Sequence, residues 1–498
     1  MADLPWHYLE RYKPVVDDWE AFATAVTQPL PTTIWANLLK TTPEKLEALL
    51  AQSGIHLEPV GWYPGAYRLP AGVKPGLRWE YLAGLYHVQE EVALLPVTLL
   101  EARPGERILD MCAAPGNKTA QISVALQNRG TVVANDRNAG RMRAARQVFD
   151  RLGLVNVTTL TQDAANLPAA IGPFDKILAD VPCTCEGTCR KEPYVLRRAS
   201  AQRARQMARV QRAILRKAVQ LCRPGGRIVY ATCTFAPEEN ELVLDSILRE
   251  FAGEIRLRPA AVPHFTASPG LTEWDGRALN PDLAHALRIW PHQNDTGGFF
   301  VALLKKERER LSVNGNRLSV NGNRLSVNGK RLPVSGKRLP VGVAYAGKAQ
   351  RQPWLDMLVE RHGFPPGLFD EYELLRWGKR GVWLVNADHQ PPLKPLPDSV
   401  GLALLRPSAR TPKLSTAAAM FLGRHATRNF MEVTAGQLAD YLARRPFTAA
   451  PEQTAHCPGT GFVIIRYRGA AMGVALYRRE TRAVESLYPK GWVRELEI

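Results

Sequence analysis

Between residues 107 and 304, short apolar runs alternate with longer stretches of helical period, and this alternation restricts the chain to few folds. The expected strands are Arg107–Met111, Thr131–Asn135, Val157–Leu160, Lys176–Ala179, Arg227–Ala231 and Phe299–Leu304. Helical patterns separate most of them. A parallel strand pair needs a crossover long enough to hold a helix, so this order predicts an open, mainly parallel sheet with helices on both faces. The expected class is α/β.

The stretch after the first strand, Cys112-Ala113-Ala114-Pro115-Gly116-Asn117-Lys118, is a tight loop that leads into a helix from Thr119. Loops between a strand's carboxyl end and a helix N-terminus are where Rossmann-like sheets hold nucleotide-type ligands. Gly116 lets backbone approach a ligand, and the first N–H groups of the helix are free to bond it. Lys118 suits a carboxylate or phosphate. The second strand ends at Asp136, where an acid can bind both ribose hydroxyls. Asp163 follows the third strand and could accept from an adenine amino group. The competing reading is a plain turn with no ligand; two strand-end acids in the expected order argue against it. The loop is neither GxGxxG nor GxxxxGK[ST], which disfavours NAD and nucleotide hydrolysis.

Two further strands end in thiols. Asp180-Val181-Pro182-Cys183 closes the fourth, and Thr232-Cys233-Thr234 closes the next. Neighbouring strands lie about 4.8 Å apart, so the two thiols can face one pocket. Acid, spacer, Pro and Cys suit a site for a nucleobase, because the acid can bond a cytosine's ring nitrogen and exocyclic amine. Carbon 5 of cytosine is a poor nucleophile. A thiolate adding at carbon 6 makes carbon 5 able to attack a methyl electrophile, and a second group must then help release the product. Spacing alone leaves open which of Cys183 and Cys233 attacks. Cys183, Cys185 and Cys189 could instead bind zinc, but C-x-C-x₃-C without a nearby His departs from the usual ligand spacing, and no metal is expected.

The chain has 498 residues, so two to four domains are expected. Its formal net charge of +18 favours a polyanionic partner, RNA or DNA. Seven cysteines in so long a chain suit a reducing, cytoplasmic setting rather than a disulfide framework. The charged N-terminus does not read as a signal peptide, and no apolar run is long enough for a bilayer, so no membrane partner is expected. From Thr41 to Ile55 a helix is expected, with Leu46, Leu49, Leu50 and Ile55 roughly on one face; Gly61 to Pro75 reads as loop. Units of the type RLSVNGN repeat every seven residues across 310–342, with Leu and Val two apart and Gly in each unit. That pattern is a basic, flexible linker rather than a coiled coil. From Pro193 to Pro237 there is no acidic residue. The helix expected over Ser200–Cys222 would bury Met207, Val210, Ile214 and Leu221, and would turn Arg205, Arg209, Arg212 and Arg216 toward RNA phosphates.

Taken together, HVQEEVALLPVTLL (His87–Leu100), the CAAPGNK loop, ANDRN (Ala134–Asn138), DVPCTCEGT, VYATCTFAPEENE, RIWPH and DTGGFFVALLKK resemble the Nop/Sun (Fmu-like) family of RNA 5-methylcytosine methyltransferases. The resemblance implies a Rossmann-like methyltransferase sheet that uses S-adenosylmethionine (SAM). It makes Cys233 the nucleophile and Cys183 the thiol that aids release, with Asp180 in the catalytic set. It assigns the cofactor to Cys112–Lys118, Asp136, Arg141, Asp163 and Asp180. The family usually carries Gly where this chain has Asn117; Asn tolerates a left-handed backbone, so the loop is expected to keep its shape. The C-terminal part resembles the tail of the bacterial small-subunit branch of the family. The expected domains are an RNA-binding extension at 1–75, the catalytic domain at 76–306, the linker at 307–345, a middle module at 346–412 and a β-rich, PUA-like RNA-binding module at 413–498. The expected partner of this monomer is RNA, ribosomal RNA first, then tRNA; the rival reading is a non-catalytic ribosome assembly factor.

Overall fold

A computed structural model of the chain describes residues 6–308, 342–365, 367–377, 381–405 and 413–493, with 326–327, 330–331 and 339 between them. The central sheet is built from β1 (Arg107–Asp110), β2 (Thr131–Asn135), β3 (Val157–Leu160), β4 (Phe174–Asp180), β5 (Cys222–Thr232), β6 (Ile255–Arg258), β7 (Leu287–Ile289) and β8 (Phe299–Lys306). In space the order is β7-β8-β5-β4-β1-β2-β3, with β6 also on β8. Strands β1 to β5 are parallel, and β8 runs antiparallel to β5. All six expected strands are present; β4 and β5 start earlier than expected and β8 ends later.

Both faces of this sheet are buried, and the sequence shows it as consecutive apolar residues that point alternately to opposite sides. Ile108, Val132, Leu178 and Val229 pack with Ile122 of α1 (Asn117–Ala125) and with Met142 and Ala145 of α2 (Ala139–Leu152). Their neighbours Leu109, Val133, Ile177 and Ile228 pack on the other face with Leu215 and Val219 of α3 (Ala201–Leu221) and with Leu244 of α4 (Glu241–Glu250). The strand order reverses between β1 and β4, so the loops after these strands diverge and leave a crevice at their carboxyl ends.

The expected inner face of α3 is corrected. Its buried stripe is Ala204, Ala208, Gln211, Leu215 and Ala218, together with Ile214, Val219 and Leu221. Val210 is 39% exposed and Met207 is half-buried. Small alanines let the helix sit close on the sheet, and this packing overrides the pattern of the larger apolar residues. The arginine stripe is also not free of acid, because Arg216 forms a two-pronged pair with Glu250 of α4 at 2.5 and 2.8 Å.

The N-terminal part forms a four-stranded antiparallel sheet in the order Glu58–Pro59, Ala66–Arg68, Thr33–Ala36, Tyr86–Val88. The stretch expected to be loop therefore contains a strand. The sheet is completed only by Tyr86–Val88, past residue 75, since Ile34 pairs with Val88. The expected helix is present as Pro43–Ala51, capped by Thr42 and with Leu46 and Leu50 buried.

Residues after 342 form a four-stranded sheet, Val343–Tyr345, Tyr372–Trp377, Val382–Asn386 and Leu402–Leu405, and a five-stranded one that includes Gly461–Tyr467 and Ala470–Arg478. This region is β-rich, as expected, yet it does not stand apart. Ser399–Val400 pairs with β3 and extends the central sheet by one strand. Phe421, Ile464 and Val474 share a core with Val155. Within the 310–342 repeat, Ser326–Val327 pairs with Lys330–Arg331; the linker reading otherwise falls outside the described residues. Among the described residues, no helix is long and apolar enough to cross a membrane.

The N-terminal and C-terminal parts also share a core, where Trp79, Leu82 and Ala83 pack on Met431, Tyr441, Val463 and Ile465. Trp79 stands edge-on to Tyr467 with ring centroids 5.0 Å apart. Truncating a buried tryptophan removes its transfer free energy and leaves a cavity. Trp79→Ala should therefore cost about 3–5 kcal/mol in a urea unfolding experiment. A loss below about 1 kcal/mol would mean that the two parts do not share a core.

Candidate active site

Parallel pairing sets Asp180 of β4 beside Ala231 of β5, so the two chain segments leave the sheet side by side. Three residues after Asp180 comes Cys183, and two after Ala231 comes Cys233. Their sulfurs are 3.3 Å apart, and both residues are half-buried. Cys185 joins them, with its sulfur 3.8 Å from that of Cys183. Cys189 does not. The short helical turn Glu186–Thr188 sends it into a core with Tyr12, Phe22, Phe235 and Trp290. The sequence cluster of Cys183, Cys185 and Cys189 is thus replaced in space by Cys183, Cys185 and Cys233. Hydrogen bonding with Cys183 and Cys233 lowers the Cys185 thiol, while hydrogen bonding with the other two sulfurs and burial push Cys183 up.

Close packing fixes the two loops. The Gly187 N–H donates to the Cys233 carbonyl at 2.9 Å, and the Gly298 N–H donates to the Gly187 carbonyl at 2.8 Å. A Cβ at Gly187 would lie 2.1 Å from the Gly298 oxygen, and one at Gly298 would lie 2.0 Å from Phe235. Neither position can carry a side chain. Behind the thiols lies a buried polar network. Glu239 accepts from the Thr184 N–H at 3.0 Å and from Gln211 at 2.7 Å. Glu186 accepts from the Tyr12 hydroxyl at 2.5 Å and from Thr234 at 3.2 Å. Burial pushes the Glu239 carboxyl up to about 7. The loop after Cys233 is held by Thr232 donating to Asn240 at 2.6 Å and by a buried, two-pronged Arg288–Glu241 pair.

The loop after β1 faces the same crevice. Gly116 has φ 105°, and a Cβ there would meet Ala145 and Phe149 of α2 at 3.0 Å. Both the backbone and the space call for glycine. Asn117 needs no left-handed backbone, which corrects the expectation for this position. It is the first residue of α1, and its Oδ1 lies 3.0 Å from His87 Nε2. Burial, aided by the Arg151 charge, holds His87 down at about 3. The neutral imidazole donates to Asn117 through Nε2 and accepts from Arg151 at Nδ1, 2.8 Å away. This chain of contacts ties the N-terminal sheet to the loop.

Of the acids expected at the cofactor, Asp136 is buried. It accepts from the Asn138 N–H at 2.8 Å and, more weakly, from the Ala114 N–H at 3.3 Å. Arg141 donates to the Ala114 carbonyl at 2.5 Å and stands 3.7 Å from Asp136. Asp163 is exposed and caps the turn Ala164–Asn166. Lys118 pairs with Asp180 at 2.9 Å. Burial opposes the Lys118 charge, but Asp180 outweighs it and holds the ammonium above its ordinary range.

Asp110, the last residue of β1, escaped the sequence reading. It is 1% exposed, and its Oδ2 accepts from Thr119 at 2.6 Å. Its Oδ1 is buried without a partner. Burial, with Asp180 as a lesser influence, pushes this carboxyl up to about 7. A buried oxygen left unpaired costs free energy unless a ligand satisfies it. The basic stripe of α3 begins at this crevice too: Arg203, on its first turn, and Arg141 both act electrostatically on Cys185.

Residues 97–305 match the family described as 16S rRNA methyltransferase RsmB/F, and residues 4–91 match the N-terminal domain of 16S rRNA methyltransferase RsmF. A 28S rRNA (cytosine-C(5))-methyltransferase of Mus musculus is 35% identical over 57% of this chain, which spans only 36% of that relative's length. The solved methyltransferase homolog of Pyrococcus horikoshii covers 60% of this chain and 99% of its own, with 29% identity and a TM-score of 0.53. The ribosomal RNA small subunit methyltransferase F of Aeromonas hydrophila is 30% identical over 99% of this chain and 98% of its own length. With both sequences matched almost from end to end, the chain belongs to the RsmB/F family of 16S rRNA methyltransferases.

Proposed function

We propose that this chain methylates carbon 5 of a cytosine in ribosomal RNA, with SAM as methyl donor and a transient cysteine–base bond. The observation that carries the reading is the pair of sulfurs 3.3 Å apart at the ends of β4 and β5, beside the Lys118–Asp180 pair. Two thiols this close can act in turn on one ring carbon and its neighbour. Cys233 attacks carbon 6, and Asp180 holds the base through its ring nitrogen and exocyclic amine. Cys183 then assists loss of the carbon 5 proton, which lets the Cys233 sulfur leave.

The crevice fits SAM. The unpaired, buried Asp110 Oδ1 calls for a donor or cation. Asp136, Asp163 and Asp180 would hold its polar groups, with the loop Cys112–Lys118 around it and Arg141 bracing that loop. When bound, SAM supplies an electrophilic methyl group. RNA would be held by the exposed arginines of α3, which neutralise backbone phosphates, and by the C-terminal β-rich module in a PUA-like role.

The thiol roles are separable by substitution. Cys233→Ala should lower methyl transfer at least about a thousandfold and abolish the covalent RNA adduct on a denaturing gel. Cys183→Ala should accumulate that adduct. An adduct formed by Cys233→Ala and not by Cys183→Ala would reverse the assignment.

Asp110 makes SAM binding dependent on pH. Its carboxyl is raised, so the free protein holds a proton there below about 7 and loses it above. In the free protein this group therefore favours folding at low pH, and that contribution is lost as pH rises from about 4 through about 7. A cationic ligand prefers the carboxylate, so the sign for binding is opposite. SAM affinity by calorimetry should rise about tenfold between pH 6 and pH 8. Asp110→Asn should remove that rise. Equal affinity of the unsubstituted protein at both pH values would exclude Asp110 from the pocket.

A further inference from the structure

We propose that Cys183, Cys185 and Cys233 form a three-thiolate site for a soft divalent cation of the zinc and cadmium type. The three sulfurs lie within 4.8 Å of one another, with separations of 3.3 and 3.8 Å measured from Cys183. A tetrahedral ion with metal–sulfur bonds of about 2.3 Å sets its ligands about 3.8 Å apart, so little movement is needed. All three residues are partly open to solvent, which gives an ion a route in and leaves its fourth position for water.

The proposed methyl transfer uses Cys183 and Cys233 and leaves Cys185 without a task. Yet the backbone brings Cys185 to the other two at some cost. Its φ is 64°, in the left-handed region that a β-carbon disfavours and glycine takes readily. The turn holds this conformation through the buried Glu239 and Glu186 contacts to Thr184. A strained thiol that completes a cluster of three points to use of its sulfur. The surrounding charge suits the occupied site. Three thiolates around one dication would leave one net negative charge on the cluster, with the protons of the thiols still protonated passing to solvent. The cations Lys118, Arg203 and Arg141 act on these sulfurs; Asp180 opposes them.

Occupancy would tie up both sulfurs that the proposed chemistry needs, so the site would act as a reversible inhibitory clamp. That consequence rests on the reading above; the binding itself does not. The test is titration of reduced, full-length protein with cadmium chloride, followed by thiolate-to-metal absorption in the ultraviolet. One ion per chain is expected. Cys185→Ser and Cys185→Gly should each weaken it about a hundredfold, roughly the share of one ligand in such a site. The glycine variant suits the left-handed position and guards against misfolding. Cys189→Ser should bind as the unsubstituted protein does. Methyl transfer to RNA should stop as the site fills and recover on chelation, while Cys185→Ser should keep turning over at the same cadmium concentration. No absorption band, unchanged affinity in Cys185→Gly, or loss of binding in Cys189→Ser would overturn the proposal. If no form transfers methyl groups, the assigned function fails while the absorption titration still decides the metal site.

Discussion

The parallel pairing of β4 with β5 is the constraint on which the site depends. It places Asp180 beside Ala231, and Cys183 and Cys233 follow within three residues of that pair. Strand pairing alone leaves sulfurs anywhere within several ångströms. The contact between the two exit loops narrows this, because Gly187 bonds the Cys233 carbonyl and is itself pressed against Gly298. Three backbone segments, after β4, after β5 and before β8, meet where no side chain fits. The thiol spacing is therefore set by backbone hydrogen bonds rather than by flexible side chains, which is the precision that the proposed chemistry at adjacent ring carbons needs.

The cofactor loop is fixed in a comparable way, but from outside the sheet. Arg151 on α2 donates to the carbonyls of Tyr81 and Tyr86 and to His87, and His87 reaches Asn117. Asn37 and Lys40 return the contact by donating to the carbonyls of Leu152 and Arg151. The N-terminal sheet is thereby part of the wall behind the loop and not an appendage. The C-terminal part closes the opposite edge of the central sheet with Ser399–Val400, protecting β3, which would otherwise expose unpaired N–H and C=O groups. Regions that the amino-acid order separates thus share cores and hydrogen bonds with the catalytic sheet.

What the sequence made legible is what local pattern encodes. Doubly buried strands announce themselves as apolar runs, and a strand-end residue is known to lie at the sheet's carboxyl edge; that sufficed for Cys183, Cys233 and the loop around Gly116. Long-range facts were hidden. The pairing of Ile34 with Val88 leaves no trace in composition, so a sheet that runs past residue 75 is not legible there. Nothing in the local sequence marks Glu186 and Glu239, and only the folded structure buries them beside Thr184. Asp110 sits at the end of a strand where any residue type is admissible, and its meaning comes from an oxygen left without a partner. In α3, the close approach that small residues permit decided the inner face, and no count of large apolar residues could reveal it.

The same physics explains why a site can hold so many ionisable groups and still fold. Buried charge is costly unless paired, and buried thiols and carboxyls escape the cost by staying protonated. Asp110 and Glu239 do this near neutrality, and Cys183 does so well beyond it. Asp180 instead is paired with Lys118 at 2.9 Å. On the proposed reading, a cationic ligand at Asp110 or an electrophile at the thiols would each relieve a cost that the free protein carries. Ligand binding would then stabilise the fold and arm the proposed chemistry through the same atoms, so the groups least favourable to the free chain are those that the proposal places at its site.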